Sequence, residues 1–250
     1  MEPNARLNGK TVLITGAARR VGAAVARGLH GAGANVLLHY RSSGEEAARL
    51  AAELNQLRAG SAATAACDLL EVAELPALVA EAARVFGGLD VLVNNASSFY
   101  PTPLGDIGVM DWDDLIGTNL KAPLFLAQAA APLLHAREGL IINLADIHGE
   151  RPLRRYPVYS IAKAGLIMLT KSLARELGPH VRVNAVAPGP VMWPEDGLDE
   201  ALQASIIAGT ALKRVGSPED VARACVFFAS EAPYVTGQVL AVDGGRSIGW

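Results

Sequence analysis

The sequence predicts one α/β domain of the Rossmann type, a doubly wound parallel sheet of about seven strands with helices on both faces. Three observations support this fold class. Strand-type segments alternate with helix-type segments from Thr11 onward. The strand segments are continuous apolar runs, which is typical of strands covered on both sides. The length of 250 residues suits a single large α/β domain, and no linker or repeat divides it. We therefore assign residues 1–250 to one domain.

The first unit consists of the strand TVLIT, a glycine turn, an alanine-rich helix and the strand NVLLHY. Such a succession predicts a right-handed βαβ unit with parallel strands. Further strands are predicted at SAATAAC, LDVLVNN, GLIINLA, VRVNAVAP and GQVLAVDGG. Helices are predicted at SGEEAARLAAELNQLR, EVAELPALVAEAARVFG, TNLKAPLFLAQAAAPLLHA, YSIAKAGLIMLTKSLAREL and PEDVARACVFFAS. The segment of about 188–215 lacks a strand pattern, and we take it as a substrate loop.

Composition narrows the classes of partner. Hydrophobic residues make up 51% of the chain and charged residues 19%, which favours a large buried core over disorder. The net charge is -3, and no basic stripe with interleaved aromatic residues is present, so we expect no nucleic-acid partner. The first residues, MEPNARLNGK, lack a secretory signal, and no apolar run reaches the ~18 residues of a membrane span. We therefore expect a cytoplasmic protein without a membrane partner.

The cysteines and histidines do not suggest a metal centre. Cys67 and Cys225 are far apart and lie in apolar surroundings, so we expect reduced core residues. His135, His148 and His180 lack the spacing of metal ligands, and no metal site is predicted.

Asp146, Tyr159 and Lys163 are the candidate catalytic residues. Tyr159 and Lys163 stand four residues apart in a predicted helix, so their side chains project from the same face. An ammonium group one turn away is expected to favour the phenolate of a tyrosine, which makes the pair suitable for general acid/base work. Asp146 follows the apolar strand GLIINLA, and the end of that strand brings it to the same edge of the sheet.

A glycine turn and the end of the second strand indicate a dinucleotide site. The turn from Gly16 to Gly22 lies beyond the carboxyl end of the first strand, where glycines let the backbone approach a pyrophosphate. Arg20 replaces the middle glycine of the usual TGxxxGxG pattern and adds a cationic fork. The second strand ends in His39, Tyr40, Arg41 and Ser42, with no carboxylate before Glu45. NAD binders usually carry an acid here, so the cofactor predicted is NADPH.

These motifs occur in a characteristic order: TGAARRVG, CDL at 67–69, NNAS at 94–97, Tyr159 to Lys163, and Pro188 with Gly189. In this respect the chain resembles the short-chain dehydrogenase/reductase family over essentially its whole length. The resemblance implies that Asn119 anchors a proton-relay water and that Lys163 also holds the nicotinamide ribose. It further implies a homotetramer built partly on the helices that start at Thr118 and Tyr159. The cofactor-binding residues it implies are Gly16, Arg19, Arg20, Val21, His39, Tyr40, Arg41, Ser42, Asp68, Leu69, Asn94, Asn95, Ala96, Lys163, Pro188 and Gly189.

Departures from the family pattern at three positions indicate a subfamily. Most members carry a serine in place of Asp146, and glycines in place of Arg20 and Ser97. With LLHYRSS and NNASSFYPTPL, these changes look like the pteridine reductases. That resemblance implies reduction of dihydrobiopterin, and of dihydrofolate as a further candidate, with selectivity in the loop 192–210. The substrate-binding residues it implies are Arg20, Ser97, Phe99, Asp146 and Tyr159, and Arg154, Arg155, Tyr156 and Trp193 are further candidates for the pocket.

An aspartate at position 146 agrees with such a substrate on physical grounds. In ketone reduction the oxygen gains negative charge, and an ionised carboxylate beside it would raise the barrier. Reduction of a ring C=N bond instead needs a proton at nitrogen, which a carboxylic acid, or a carboxylate acting through Tyr159, can supply.

Two alternatives remain open. One is an NADPH-dependent carbonyl reductase, for example of 3-oxoacyl thioesters, which merely tolerates Asp146. The other is a non-catalytic scaffold or redox sensor that binds the cofactor.

Overall fold

A computed structural model describes residues 6–193 and 197–249 of the chain. Seven parallel strands form one sheet in the order β3-β2-β1-β4-β5-β6-β7, which confirms the predicted fold class. The strands are β1 (Thr11–Ile14), β2 (Asn35–Tyr40), β3 (Ala62–Ala66), β4 (Val91–Asn94), β5 (Leu140–Leu144), β6 (Arg182–Pro188) and β7 (Val239–Val242).

Helices cover both faces of the sheet. They are α1 (Arg20–Gly31), α2 (Gly44–Leu57), α3 (Leu75–Phe86), α4 (Val109–Ile116), α5 (Ala122–His135), α6 (Pro157–Leu177), α7 (Glu200–Ala208) and α8 (Pro218–Ser230). One apolar core joins the sheet to α1, α2 and α8, and a second joins its other face to α3, α5 and α6. Among the described residues, no helix is both long and apolar enough to cross a bilayer.

The central strand β1 shows why the strand segments are apolar throughout. Val12 and Ile14 enter the first core, whereas Leu13 enters the second, because successive side chains of a strand point to opposite faces. In register, Val12 lies between Val36 of β2 and Val91 of β4. The chain order reverses between β1 and β4, and ligands of such sheets bind beyond the carboxyl ends of the strands at this point.

Two helices were missed by the sequence patterns. The helix predicted to begin at Thr118 is preceded by α4 and a π-helical turn, Gly117–Lys121, so the helical path starts at Val109. Asp111 closes the start of α4 by accepting a hydrogen bond from the N–H of Gly108 at 2.8 Å. Both features are local capping and bulge geometry, which hydrophobic periodicity does not reveal.

The predicted substrate loop of 188–215 contains the second missed helix, α7. Asp199 caps it, because its carboxylate accepts hydrogen bonds from the N–H groups of Ala201 and Leu202 at 3.0 and 3.2 Å. Positions 194–196 of this loop, like 1–5 and 250 of the predicted domain, lie outside the described residues.

Both cysteines are free and buried, as the sequence predicted. Burial raises the pKa of the Cys67 thiol to about 11 and that of Cys225 to about 12. Both therefore stay protonated at neutral pH, and reactive cysteines need a lowered pKa.

Candidate active site

Tyr159 and Asp146 meet at the carboxyl edge of the sheet. The Tyr159 hydroxyl donates a hydrogen bond to Oδ2 of Asp146 at 2.8 Å. The second oxygen of Asp146, Oδ1, accepts from the N–H of His148 at 2.8 Å and caps the 3₁₀ turn Ile147–Gly149 that follows β5. Two hydrogen bonds thus orient the carboxylate toward the phenol.

The 3₁₀ turn lies unusually close to α6, and this brings Asp146 to Tyr159. A Cβ atom added at Gly149 would lie 2.9 Å from the carbonyl carbon and oxygen of Lys163. Real Cβ contacts are longer, so glycine permits the approach. Helix α6 itself starts with Pro157, whose fixed φ and missing N–H suit the first turn of a helix.

Lys163 lies beneath the phenol with its side chain 2% exposed. Its Nζ donates a hydrogen bond to the main-chain oxygen of Leu144 at 2.8 Å and lies 5.6 Å from the centroid of the Tyr159 ring. Burial lowers the pKa of Lys163 from 10.5 to about 8, although the charge of Asp146 acts in the opposite direction. The ammonium therefore loses its proton within the pH range in which enzymes are usually assayed.

The pKa of Tyr159 is shifted in the direction opposite to the one expected from a neighbouring ammonium. Burial, and next the charge and hydrogen bond of Asp146, hold the pKa of Tyr159 well above its usual value of 10, while a hydrogen bond with Ser97 lowers it slightly against them. A buried phenolate beside a carboxylate is disfavoured by both desolvation and repulsion. Tyr159 is consequently a protonated donor whose partner is Asp146, and only the meeting of β5 with α6 shows this.

Asn119 braces the loop after β4. It lies in the π-helical turn and is 1% exposed. Its Nδ2 donates to the main-chain oxygens of Ser98 and Leu115, both at 2.9 Å, and its Oδ1 accepts from Oγ of Ser97 at 2.6 Å. The structure thus joins Asn119 to the loop that carries Ser97 and Phe99. The predicted role of Asn119 as an anchor for a relay water stays a prediction.

Phe99 forms an aromatic wall with two tyrosines. Its ring stacks on Tyr156 with centroids 4.7 Å apart and an interplanar angle of 13°, and it meets Tyr159 edge to face at 4.8 Å and 75°. Phe99 remains 49% exposed although it touches the catalytic candidate. An exposed ring fixed by two aromatic neighbours is suited to contact a flat ligand.

The glycine turn after β1 has the backbone geometry of an anion-binding turn. Gly16 has φ of +60°, and a Cβ at Gly22 would lie 2.2 Å from the Gly16 oxygen, so both positions require glycine. Asn95 secures the turn by donating from Nδ2 to the main-chain oxygens of Thr15 at 2.8 Å and Gly16 at 3.0 Å. Helix α1 begins directly behind, so its free N–H groups face the edge where a phosphate would bind.

Arg20 links the glycine turn to the predicted substrate loop. It adopts φ of +55° at the start of α1, and its Nη2 donates to the main-chain oxygen of Trp193 at 3.0 Å. Arg19 beside it is exposed, and Val21 is partly buried against the core. Of the further pocket candidates, Arg154 and Arg155 are exposed, Tyr156 supports Phe99, and Trp193 contributes its main chain.

The residues at the end of β2 divide into two groups. Arg41 and Ser42 are exposed, and Tyr40 is half-buried against the start of α2, where a Cβ at Gly44 would lie 3.1 Å from its ring. His39, in contrast, is 2% exposed and binds protein atoms on both ring nitrogens. The exposed pair is therefore available to a ligand, whereas the His39 side chain belongs to the scaffold.

The other predicted cofactor residues also differ in exposure. Asp68 is half-buried and accepts a hydrogen bond from the N–H of Leu70 at 3.0 Å, while the side chain of Leu69 lies in the core. Asn94 is buried and donates to Oδ1 of Asn143 at 2.8 Å, which makes it a bridge between β4 and β5. The predicted cofactor contacts of Leu69 and Asn94 can therefore involve only their main chains.

Two further predicted residues lie where the backbone is crowded. Ala96 follows Asn95, and its N–H donates to Oγ1 of Thr15 at 3.0 Å. Pro188 ends β6, and the N–H of Gly189 donates to the oxygen of Val242 at 3.0 Å. A Cβ at Gly189 would lie 2.6 Å from that of Asp243, so glycine is required there as well.

Two contributors to the site were missed in the sequence. Thr15 accepts hydrogen bonds from the N–H groups of both Asn95 and Ala96, and its position directly before Gly16 was the available signal. Leu144 holds Lys163 through a main-chain oxygen, which no side-chain pattern can reveal.

The described residues 6–193 and 197–249 contain no group of three or more His, Cys, Asp or Glu side chains arranged as a metal site. His135 and His180 do lie together, with ring centroids 4.0 Å apart. His135 ends α5, and His180 follows α6 at the end of that helix opposite to Tyr159.

Comparison with known proteins shows the family to which the chain belongs. A family model described as enoyl-(acyl carrier protein) reductase matches residues 16–247. The chain belongs to the short-chain dehydrogenase/reductase family. It is thus an oxidoreductase of a family that uses NAD(P), and the predicted family and nicotinamide cofactor are confirmed at that level.

Curated relatives differ in the substrates that their names state. The chain is 38% identical over 240 residues to a 3-oxoacyl-acyl-carrier-protein reductase of Staphylococcus aureus (strain Mu50), covering 94% of this chain and 97% of the relative. It is also 38% identical over 277 residues to pteridine reductase 1 of Leishmania tarentolae, covering 94% and 96%. These similarities support the family but do not decide between the substrates.

A solved structure of a blue fluorescent protein from a metagenomic library, in complex with NADPH, has a similar fold. Its TM-score is 0.90 at 33% identity, with 96% of this chain and 99% of that chain covered. The fold described above is therefore that of an NADPH-binding relative.

Proposed function

We propose that this protein is an NADPH-dependent reductase that reduces a C=N bond in the ring of a dihydropterin, giving the tetrahydro form. Dihydrobiopterin is the first substrate to test, and dihydrofolate is the second. The observation that carries the proposal is the 2.8 Å hydrogen bond from the Tyr159 hydroxyl to Asp146, at a position where most of the family carries serine.

The charge of Asp146 affects which kind of substrate the site can reduce, because a serine at this position would be neutral. A serine hydroxyl can donate to the developing alkoxide of a ketone, whereas a carboxylate accepts hydrogen bonds and repels an alkoxide. A ring nitrogen that receives the electron pair of a C=N bond needs a proton. Tyr159 carries that proton because burial and Asp146 keep its pKa high. The arrangement therefore suits a nitrogen acceptor better than an oxygen acceptor.

The residues at the sheet edge fit a nicotinamide dinucleotide. Gly16 and Gly22 leave room at the start of α1 that a Cβ would fill, which suits a pyrophosphate. The exposed Arg41 and Ser42 offer a cation and a hydroxyl to a ribose 2′-phosphate, and Lys163 would hold the nicotinamide ribose. When bound, NADPH supplies the hydride.

The aromatic wall supports a flat substrate. Phe99 is half exposed, yet its stacking on Tyr156 and its edge contact with Tyr159 fix its orientation. A bicyclic ring stacked on Phe99 would therefore lie beside the Tyr159 hydroxyl. Stacking contributes about 0.5–1.5 kcal/mol beyond burial.

The test is oxidation of NADPH with dihydrobiopterin and with a 3-oxoacyl thioester, each assayed on the wild type and on Asp146→Ser. We expect the wild type to prefer the pterin and the variant to lose pterin turnover while gaining ketone turnover. The proposal is rejected if the wild type does not reduce dihydrobiopterin or dihydrofolate.

A second candidate is reduction of the keto group of 3-oxoacyl thioesters. The curated names favour it, since the Staphylococcus aureus relative and several others of similar identity carry that activity in their names. In that case, Asp146 would be tolerated rather than used. A higher kcat/KM for an acetoacetyl thioester than for dihydrobiopterin in the wild type would establish this candidate over the first.

We also propose that the protein forms a homotetramer. The family resemblance suggests it, and apolar side chains remain exposed on α6 and on α4, which precedes the helix predicted from Thr118. Met110 and Trp112 of α4, together with Ile161 and Met168 of α6, are 45–79% exposed. Exposed apolar groups in such number mark protein interfaces.

A further inference from the structure

We propose that His39 is a positioning residue for nucleotide binding, which holds the glycine turn in its binding conformation through a single neutral tautomer and does not contact the cofactor. This inference requires only that the chain binds a nicotinamide nucleotide, so it is independent of the substrate proposed above.

His39 joins the carboxyl ends of three adjacent strands. It belongs to β2, and its Nδ1 accepts a hydrogen bond from the N–H of Gly16, just after β1, at 3.1 Å. Its Nε2 lies 3.0 Å from the main-chain oxygen of Cys67, just after β3. The main-chain oxygen of His39 also accepts from the N–H of Ala17 at 2.9 Å. Both its side chain and its main chain therefore bind the glycine turn.

These partners allow only one protonation state. The Gly16 N–H can only donate, so Nδ1 must carry no proton. The Cys67 oxygen can only accept, so Nε2 must carry one. A doubly protonated ring would direct an N–H at the N–H of Gly16. Burial of the ring lowers the pKa of His39, in agreement with a neutral side chain.

The position of Gly16 explains why its hydrogen bond to His39 matters for nucleotide binding. Gly16 has φ of +60°, and a Cβ placed on it would lie 3.0 Å from Cα of Ala96. The turn is thus packed against the end of β4 on one side and held by His39 on the other. A shift of the turn would move the N–H groups at the start of α1, which are the phosphate-binding groups of such folds.

A direct contact of His39 with the 2′-phosphate can be separated from this indirect role by comparing two cofactors. NADPH and NADH share the pyrophosphate but differ in the 2′-phosphate. We therefore expect His39→Leu to raise the Kd of both by the same factor, on the order of tenfold, since a buried donor is left without its partner. Arg41→Gln, at the exposed end of β2, should raise the Kd of NADPH only.

His39→Gln provides the rescue variant. A glutamine amide can accept from Gly16 through its oxygen and donate to Cys67 through its nitrogen, so it should restore most of the affinity lost in His39→Leu. His30→Leu is the matched control. His30 is also buried and bonds to Ser61 at 2.7 Å, but at the opposite edge of the sheet. It should lower thermal stability without changing either Kd.

The experiment is fluorescence titration of each variant with NADPH and NADH, accompanied by thermal melts. Equal weakening in His39→Leu and recovery in His39→Gln would support the inference. A changed NADPH to NADH ratio in His39→Leu, or unchanged affinity for both, would overturn it.

A measurement on the wild type covers the case in which His39→Leu does not fold. Long-range ¹H–¹⁵N NMR at neutral pH should show the His39 ring with a bare Nδ1 and a protonated Nε2. A protonated Nδ1 would contradict the inference, because Gly16 could then not be held.

Discussion

Lys163 donates its hydrogen bond to the main-chain oxygen of Leu144, the last residue of β5, and not to a carboxylate. A neutral oxygen does not compensate the charge of a buried ammonium as a carboxylate would, so burial lowers the pKa of Lys163 to about 8. The charge on this lysine therefore changes at a pH close to neutral.

Activity should fall as the pH rises through about 8, because the ammonium of Lys163, which is proposed to hold the nicotinamide ribose, loses its charge. Tyr159 does not account for this fall, since its pKa lies well above 10. A pH profile of kcat/KM should show one alkaline pKa near 8. An alkaline limb only above pH 10 would contradict the assignment.

The free energy of unfolding should also depend on the protonation of Lys163. Lys163 has a pKa of about 8 in the folded chain, below the ordinary lysine value of 10.5, so the unfolded chain binds more protons between these values. The free energy of unfolding should therefore gain with pH from about 8 to 10.5 through this group. Lys163→Met should lack that gain, and thermal melts of both proteins across this range would reveal the difference.

Tyr159→Phe should lower kcat by about 100- to 10,000-fold, because it removes the proton donor. Asp146→Asn acts on the same hydrogen bond, so the double variant should be little slower than Tyr159→Phe alone. Single-turnover rates at saturating NADPH measure the effect, and an unchanged Kd for NADPH is the control. Fully additive losses would mean that the two residues act independently.

Phe99→Ala should raise the KM for the pterin about tenfold with a smaller change in kcat, since stacking supplies binding rather than proton transfer. Tyr156→Leu should raise KM less, because Tyr156 acts by supporting Phe99. Phe227→Ala on α8 is a matched control, as Phe227 is also partly exposed but lies elsewhere. An effect of Phe99→Ala equal to that of the control would argue against stacking.

Arg41→Gln should reduce the preference for NADPH over NADH by about tenfold to a hundredfold. This factor corresponds to the free energy that a hydrogen bond to a charged group usually contributes. The kcat/KM ratio for the two cofactors measures it. Arg49→Gln on α2 removes another exposed arginine and should leave the ratio unchanged. If both variants behave alike, the 2′-phosphate is bound elsewhere.

Ile161→Asp combined with Met168→Asp should dissociate the proposed tetramer into smaller species, because carboxylates would be buried in an apolar contact. Both residues are at least half exposed on α6. Light scattering after size exclusion gives the mass. Leu57→Asp, at an exposed position on α2, is the control and should leave the measured mass unchanged. A monomeric mass for the wild type would contradict the proposed tetramer.

Local sequence patterns were sufficient for the sheet and for part of the site. Apolar runs such as VLVN of β4 predict buried parallel strands because both faces must be covered. The spacing of Tyr159 and Lys163 predicts a shared helix face because the helical repeat is local. Helices α4 and α7 were missed since their caps, rather than their periodicity, define them.

The sequence by itself determined the fold class and the family, and it placed Tyr159 and Lys163 on one helix face. Only the tertiary structure decided that Asp146 accepts from Tyr159, that the pKa of Tyr159 is raised rather than lowered, and that the side chain of His39 is turned into the scaffold. The reason is physical. Hydrophobic periodicity is a property of neighbouring residues, whereas desolvation and hydrogen bonding depend on segments far apart in the chain that meet only when the sheet is formed.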